Sequence, residues 1–215
     1  MKFIWYEDDF CFYVWKPAGY PSTFWKEKSF LEYIFEEKQH RVIEFLMNKF
    51  SKEDEYWLLN RLDNDTSWLL YFAKNRDVKK KYKEYQKEWR VNKFYILDVY
   101  WDIRYWIKEN GLEIIYPIAH HKFSKDRMVV LLTDKDYKKS DTRSHRVKTK
   151  ILEFIRNEYE QTTTIVVSIQ KWIRHQIRSH FSSIWYPIVW DSLYGKKKDP
   201  NKGNLHLYSV WLMVK

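Results

Sequence analysis

The sequence predicts an α+β fold, a single domain built on a mixed, mostly antiparallel central sheet flanked by helices. Three observations predict it. Apolar and β-branched runs of strand length recur along the chain, most clearly in "VNKFYILDVYWDI" at 91–103. Two stretches instead carry helical spacing or a helical charge pattern, "SFLEYIFEEKQHRVIEFLMNKF" at 29–50 and "NRDVKKKYKEYQKE" at 75–88. No internal repeat and no linker interrupts the 215 residues, a length that one domain can bury as a core.

Taken in order, residues 2–6 and 10–15 are two short strands around the acidic turn "EDD", and "KPAGYPS" (16–22) is a Pro/Gly loop. The helix over 29–50 opens with Ser29 and has Glu32 three residues on, the pattern of a capping box. "SKEDEY" (51–56) is a polar connection, "WLLYFAK" (68–74) a compact apolar strand, and 75–88 a charged surface helix. After the strand at 91–103, further strands are expected near 112–117, 127–133, 146–155 and 163–170. A helix covers "IRHQIRSHFSSI" (173–184), a basic loop covers "YGKKKDPNKGN" (194–204), and "LHLYSVWLMV" closes the chain as a strand.

Composition narrows the function. A formal net charge of +10 suits a polyanionic partner better than a neutral metabolite. No run of 18 or more apolar residues predicts a membrane helix, and "MKFIWYEDDFCFYVWKPAG" has acids where a signal peptide would be apolar. The single cysteine, Cys11, has no disulfide partner and reads as a buried strand residue in a reducing compartment, hence a cytoplasmic protein. One ratio is abnormal: the 4 glycines and 12 tryptophans together reach the ordinary glycine complement of about 15 for this length. Several tryptophans stand where a chain must turn, Trp68 after "NDTS" and Trp190 before "DSLYG", places that favour a residue without Cβ. Many of these codons are therefore expected to be UGA, meaning glycine in the source organism.

Three stretches, in order and at domain-scale spacing, resemble the RluA-type family of RNA pseudouridine synthases. "RLDNDTSWLLYFAK" (61–74) resembles that family's Arg-Leu-Asp-x-x-Thr-Ser-Gly segment, and "VNKFYILDVYW" (91–101) its Lys-x-Tyr strand ending in Gly. "WIRHQIRSHFSSIWYPIVWDSLYG" (172–195) is similar to Gly-Arg-x-His-Gln-Ile-Arg-x-His and the Gly-Tyr/His-Pro-Ile-x-Gly-Asp that follows; "KPAG" and "LHLYSVWL" match weaker landmarks. Trp57, Trp68, Trp101, Trp172, Trp185 and Trp190 all fall where that pattern has glycine. Because the pattern begins at once, the resemblance implies one catalytic domain over 1–215 without a separate RNA-binding appendage. A chain carrying all the tryptophans is expected to fold poorly or to have a blocked site.

The resemblance implies a reaction in which the glycosidic bond of a uridine breaks, the base rotates, and it rejoins the sugar through C5. That chemistry needs no redox cofactor and, in the family, no metal. Asp63 is the implied catalytic carboxylate, whether it attacks the sugar or base or acts as a base at the 2′ carbon. Tyr95 is implied to stack on the uracil and to assist removal of the C5 proton. Arg178, in "HQIR", is implied as the always-charged, bidentate partner of the carboxylate. Arg174 lies four residues before Arg178, so a helix would put both on one face, and it stands one place later than the family's Arg, where this chain has Ile173. Arg61, Lys93, Lys122, Arg127, Arg174 and His175 are the candidate RNA contacts, with Lys125 beside them; Arg61 is expected to support the loop rather than touch reacting atoms. The adjacent His120 and His121, like His175 and His180, have poor spacing for a metal. The target uridine must leave its stack, at a cost of a few kcal/mol, and phosphate contacts that offset this make binding salt-dependent. RNA, either rRNA or tRNA, is the expected partner of a monomeric enzyme. The alternative is an inactive RNA-binding or chaperone protein of the same fold; a two-carboxylate glycosidase lacks a second acid, since Asp65 sits only two residues from Asp63.

Overall fold

A computed structural model describes residues 5–23, 29–36, 58–195 and 203–214. The fold is α+β, with a mixed, mostly antiparallel sheet. The chain divides into two compact units, Met1–Val91 with Tyr208–Val210, and Asn92–Leu207 with Trp211–Lys215.

In the first unit, β1 (Trp5–Glu7) pairs antiparallel with β2 (Cys11–Lys16). Asp8 makes the connection: its carboxylate accepts from the backbone N–H groups of Phe10 and Cys11 at 2.7 Å each, so the acidic turn closes on its own side chain. β2 pairs antiparallel with β3 (Ser67–Ala73), from Cys11 opposite Ala73 to Lys16 opposite Trp68. Val14, Leu70, Phe72 and Ala73 are fully buried between them and the helices. β3 also pairs, in parallel, with β9 (Leu207–Val214), through Ser67 with Tyr208 and Trp68 with Ser209. The described part of the first helix, α1 (Phe30–Glu36), starts with the expected reciprocal cap: Ser29 N–H donates to the Glu32 carboxylate at 2.8 Å and Glu32 N–H to Ser29 Oγ at 3.2 Å. The remainder of the predicted helix and the connection at 51–56 lie outside the described residues. α2 (Arg76–Lys87) is capped by Asn75, whose side chain accepts from Val78 N–H.

In the second unit, β4 (Val91–Tyr100), β8 (Thr162–Ile169), β7 (Ser140–Asn157), β5 (Glu113–His121) and β6 (Met128–Val130) follow one another across the sheet, all neighbours antiparallel. Period-two alternation selects the buried face: Tyr95, Leu97 and Val99 of β4, and Thr163, Ile165, Val167 and Ile169 of β8. Two helices were not anticipated, α3 (Arg104–Asn110) and α4 (Asp134–Lys139). The predicted strand 91–103 therefore stops at Tyr100, and just beyond it the Asp102 carboxylate accepts Arg104 N–H at 2.9 Å. β7 is longer than the predicted 146–155 and has a bulge between Ile151 and Glu153 against β8. α5 (Gln176–Ser183) is shorter than predicted and nearly enclosed, with every residue from Gln176 to Phe181 buried.

Candidate active site

Asp63 ends a segment tied to β3 and to Ser22 by hydrogen bonds. Leu58 bridges to Phe72, and the Asn60 side chain accepts from Tyr71 N–H at 2.8 Å and donates to Leu69 O at 3.3 Å. The Ser22 hydroxyl donates to Leu62 O and accepts from Leu62 N–H, at 2.8 and 3.0 Å. Beyond Asp63 the chain turns, Thr66 N–H returning to Asp63 O at 3.1 Å, and Gly19, in the left-handed region at φ +88°, donates its N–H to Asn64 O at 2.9 Å. Lys16 holds this turn together. Its side chain is fully buried, and Nζ donates to the carbonyls of Pro17, Asn64 and Thr66 at 2.9, 2.8 and 2.8 Å. Burial pushes the Lys16 ammonium down to about 7, against the opposing pull of the Asp65 and Asp63 carboxylates. The "KP" landmark is thus the clamp on the loop that presents Asp63; sequence reasoning noted the motif and missed the role of its lysine.

Tyr95 lies mid-strand in β4, opposite Val167 and 3% exposed, so strand alternation aims its ring to the buried face. Arg178 is buried inside α5, and within its own unit it meets a carboxylate that was not foreseen: Nε donates to Asp191 Oδ2 at 2.9 Å and Nη2 to Asp191 Oδ1 at 2.7 Å, a two-pronged pair with side chains 1% and 0% exposed. Asp191 Oδ1 also accepts from the N–H groups of Leu193 and Tyr194, both at 2.9 Å. The signal lies in "WDSLYG", where the Asp of the pattern is the residue that answers Arg178. Asp63, the expected partner of Arg178, belongs to the other unit.

Tyr194 collects the next layer. The guanidinium carbons of Arg178 and Arg127 lie 5.6 and 5.3 Å from its ring centroid. Its hydroxyl accepts from Met128 N–H at 2.7 Å and shares a hydrogen bond with His175 Nδ1 at 3.0 Å. Burial, aided by the Arg178 and Arg174 cations, drives the His175 imidazole down to about 3. Burial likewise brings His180 down to about 4, with Thr149 Oγ1 on Nδ1 at 2.9 Å and Tyr116 O on Nε2 at 3.2 Å.

The candidate RNA contacts separate by exposure. Arg61, Lys122, Lys125 and Arg127 are exposed. Arg174 is half-buried, donating to Lys125 O at 2.9 Å, which brings it to the loop that carries Lys122 and Arg127. Lys93 and His175 are buried, Lys93 in β4 and His175 against Tyr194. Arg174 does not share a helical face with Arg178, because His175 takes a left-handed conformation at φ 53° and the helix starts only at Gln176. Most of the basic loop, residues 196–202, lies outside the described residues. Among the described residues no helix is long and apolar enough to cross a membrane.

A profile of the RNA pseudouridylate synthase family matches residues 11–183. The ribosomal large subunit pseudouridine synthase C of Vibrio parahaemolyticus is 31% identical over 156 residues, 72% of this chain and 44% of that protein. An uncharacterized RNA pseudouridine synthase of Aquifex aeolicus is 30% identical over 140 residues, 65% of this chain and 40% of that protein. The chain thus spans less than half the length of these relatives. Among solved structures, human RNA pseudouridylate synthase domain containing 1 superposes with a TM-score of 0.70 at 16% identity, covering 99% of this chain and 78% of that one. Human RNA pseudouridylate synthase domain containing 4 does so with a TM-score of 0.61 at 16% identity, covering 97% and 82%. At such identities these two likenesses speak to the fold alone.

Proposed function

This chain belongs to the RNA pseudouridylate synthase family, and we propose that it isomerises uridine to pseudouridine in ribosomal or transfer RNA, as a cytoplasmic monomer. The observation that carries the proposal is the family match across 11–183, which takes in Asp63, Tyr95 and Arg178 together. Relatives named for the ribosomal large subunit favour rRNA as the substrate. Within the family we propose the RluA type, whose ordered segments carry glycine where this chain has Trp57, Trp68, Trp101, Trp172, Trp185 and Trp190, and the proposal takes glycine as the native residue there.

In this reading Asp63 supplies the carboxylate that meets the extruded nucleotide, and the Lys16 clamp supports it by keeping the turn rigid. Tyr95 offers the aromatic surface for the uracil and the hydroxyl near C5. Arg178 supplies a permanent positive charge, held in place by Asp191. Arg61, Lys122, Lys125, Arg127 and Arg174 follow the phosphate backbone, with affinity that falls as salt rises.

Tritium release from RNA labelled at uridine C5, catalysed by the chain with glycine at those six positions, tests the assignment. The parent releases tritium and Asp63→Asn does not; equal release by both refutes the role of Asp63. RNA binding without release by either marks the chain as an RNA clamp of the same fold.

A further inference from the structure

We infer that Trp68, Trp89, Trp101, Trp185 and Trp190 are glycine in the protein as its own cells make it, their codons being UGA read there as glycine. Among the described residues seven non-glycine residues have positive φ, and five of them are tryptophan: Trp68 at 80°, Trp89 at 60°, Trp101 at 69°, Trp185 at 72° and Trp190 at 57°. The other two are Gln161 and His175. In this region Cβ crowds the backbone carbonyl, and the residues that tolerate it best are glycine and, behind it, those with a short polar side chain that bonds the local backbone. An indole has neither property.

Trp89 carries the inference beyond the resemblance, because no motif singled it out. It follows α2, where Arg90 N–H donates to Tyr85 O at 2.9 Å and Trp89 N–H to Gln86 O at 3.4 Å. After α5 the same pair of bonds recurs, Tyr186 N–H to Phe181 O at 3.0 Å and Trp185 N–H to Ser182 O at 3.1 Å. Both are Schellman endings, and in both the tryptophan occupies the left-handed position just past the cap, the place where glycine is the usual residue. Nor does burial of the rings compensate: Trp89 is 51% exposed, Trp101 46% and Trp185 68%.

The remaining positions agree. Trp101 leaves β4 with its N–H on Gln161 O at 3.0 Å. The Trp190 ring fills the space beside Gly203, where a Cβ would overlap it. Trp68, at the start of β3 and paired with Lys16 and Ser209, holds its ring 5.0 Å from that of Trp15 and 4.6 Å from that of Tyr208. The set is defined by the backbone: Trp172 lacks a positive φ and Trp57 lies outside the described residues, so geometry assigns neither.

The inference stands apart from the proposed activity and is tested without it. Codons are read from the gene, and peptides spanning residues 85–92 and 181–192 of the protein isolated from its own cells are sequenced by mass spectrometry. UGA codons at all five positions with glycine in both peptides are expected; UGG codons, or peptides containing tryptophan, overturn the inference. As a second measurement, the chain with glycine at the five positions and the chain with tryptophan are made in a host of ordinary code. The glycine form melts at the higher temperature, whereas an equal or lower melting temperature counts against the assignment.

Discussion

Arg178 and Asp191 form the pair on which the interior of the second unit depends. Both side chains are enclosed, and the carboxylate serves two backbone N–H groups besides the guanidinium. Asp191→Ala strands a buried cation, and we expect it to lower unfolding stability by about 3–5 kcal/mol, measured as a urea transition. Replacing both partners by apolar residues of similar volume costs less than Asp191→Ala alone. At this scale the sequence was half legible. The resemblance pointed to Arg178, but spacing could not show that Asp191, 13 residues on, returns to it, because that depends on the turn between α5 and "DSLYG". Residue-scale strain could be read in part: turn placement pointed to Trp68 and Trp190 and the resemblance to Trp101 and Trp185, whereas nothing singled out Trp89 and Trp172 lacks a positive φ. Each left-handed tryptophan costs roughly 1–2 kcal/mol, so five together weigh against a typical stability of ~5–15 kcal/mol.

Among the elements, the turn after Asp63 has an unusual support in the lysine at the end of β2. Lys16→Met keeps most of the side-chain volume and removes the only donor that the buried carbonyl of Thr66 receives from this side chain. We expect each carbonyl left dry to cost about 1–3 kcal/mol, and pseudouridine formation to fall by more than RNA binding does, since the turn and not the basic surface is loosened; parallel melting and tritium-release measurements check this. Element types were largely legible because their signals are local. Ser29 with Glu32 caps as its position implied, and the predicted helix 75–88 begins one residue later, with Asn75 as its cap. α3 and α4 escaped because six or seven residues are too few to show a period, although Asp102 and Gly111 bracket the first and Thr133 with Asp136 caps the second. The reading of Arg174 failed for a different reason, since nothing local announces that His175 breaks the helix.

For the whole molecule, acid is the condition under which buried histidines matter. His175 and His180 titrate at about 3 and 4 when folded, against 6.5 for an ordinary histidine. As pH falls through 6.5 the unfolded chain takes up these protons first, so the stability present above that value drains away toward pH 3–4. Around His175 the cations of Arg178, Arg174 and His120 act in this direction and Asp191 acts against it. Urea midpoints are expected to drop between pH 7 and 4.5, and to drop less in the double variant His175→Asn, His180→Gln, where asparagine tolerates the left-handed backbone. The parallel pairing of β3 with Tyr208 and Ser209 has its own consequence, for biosynthesis. The amino-terminal half emerges from the ribosome lacking its last strand, so the bare β3 edge is a sticky, unfinished seam until the carboxy-terminal segment has been translated.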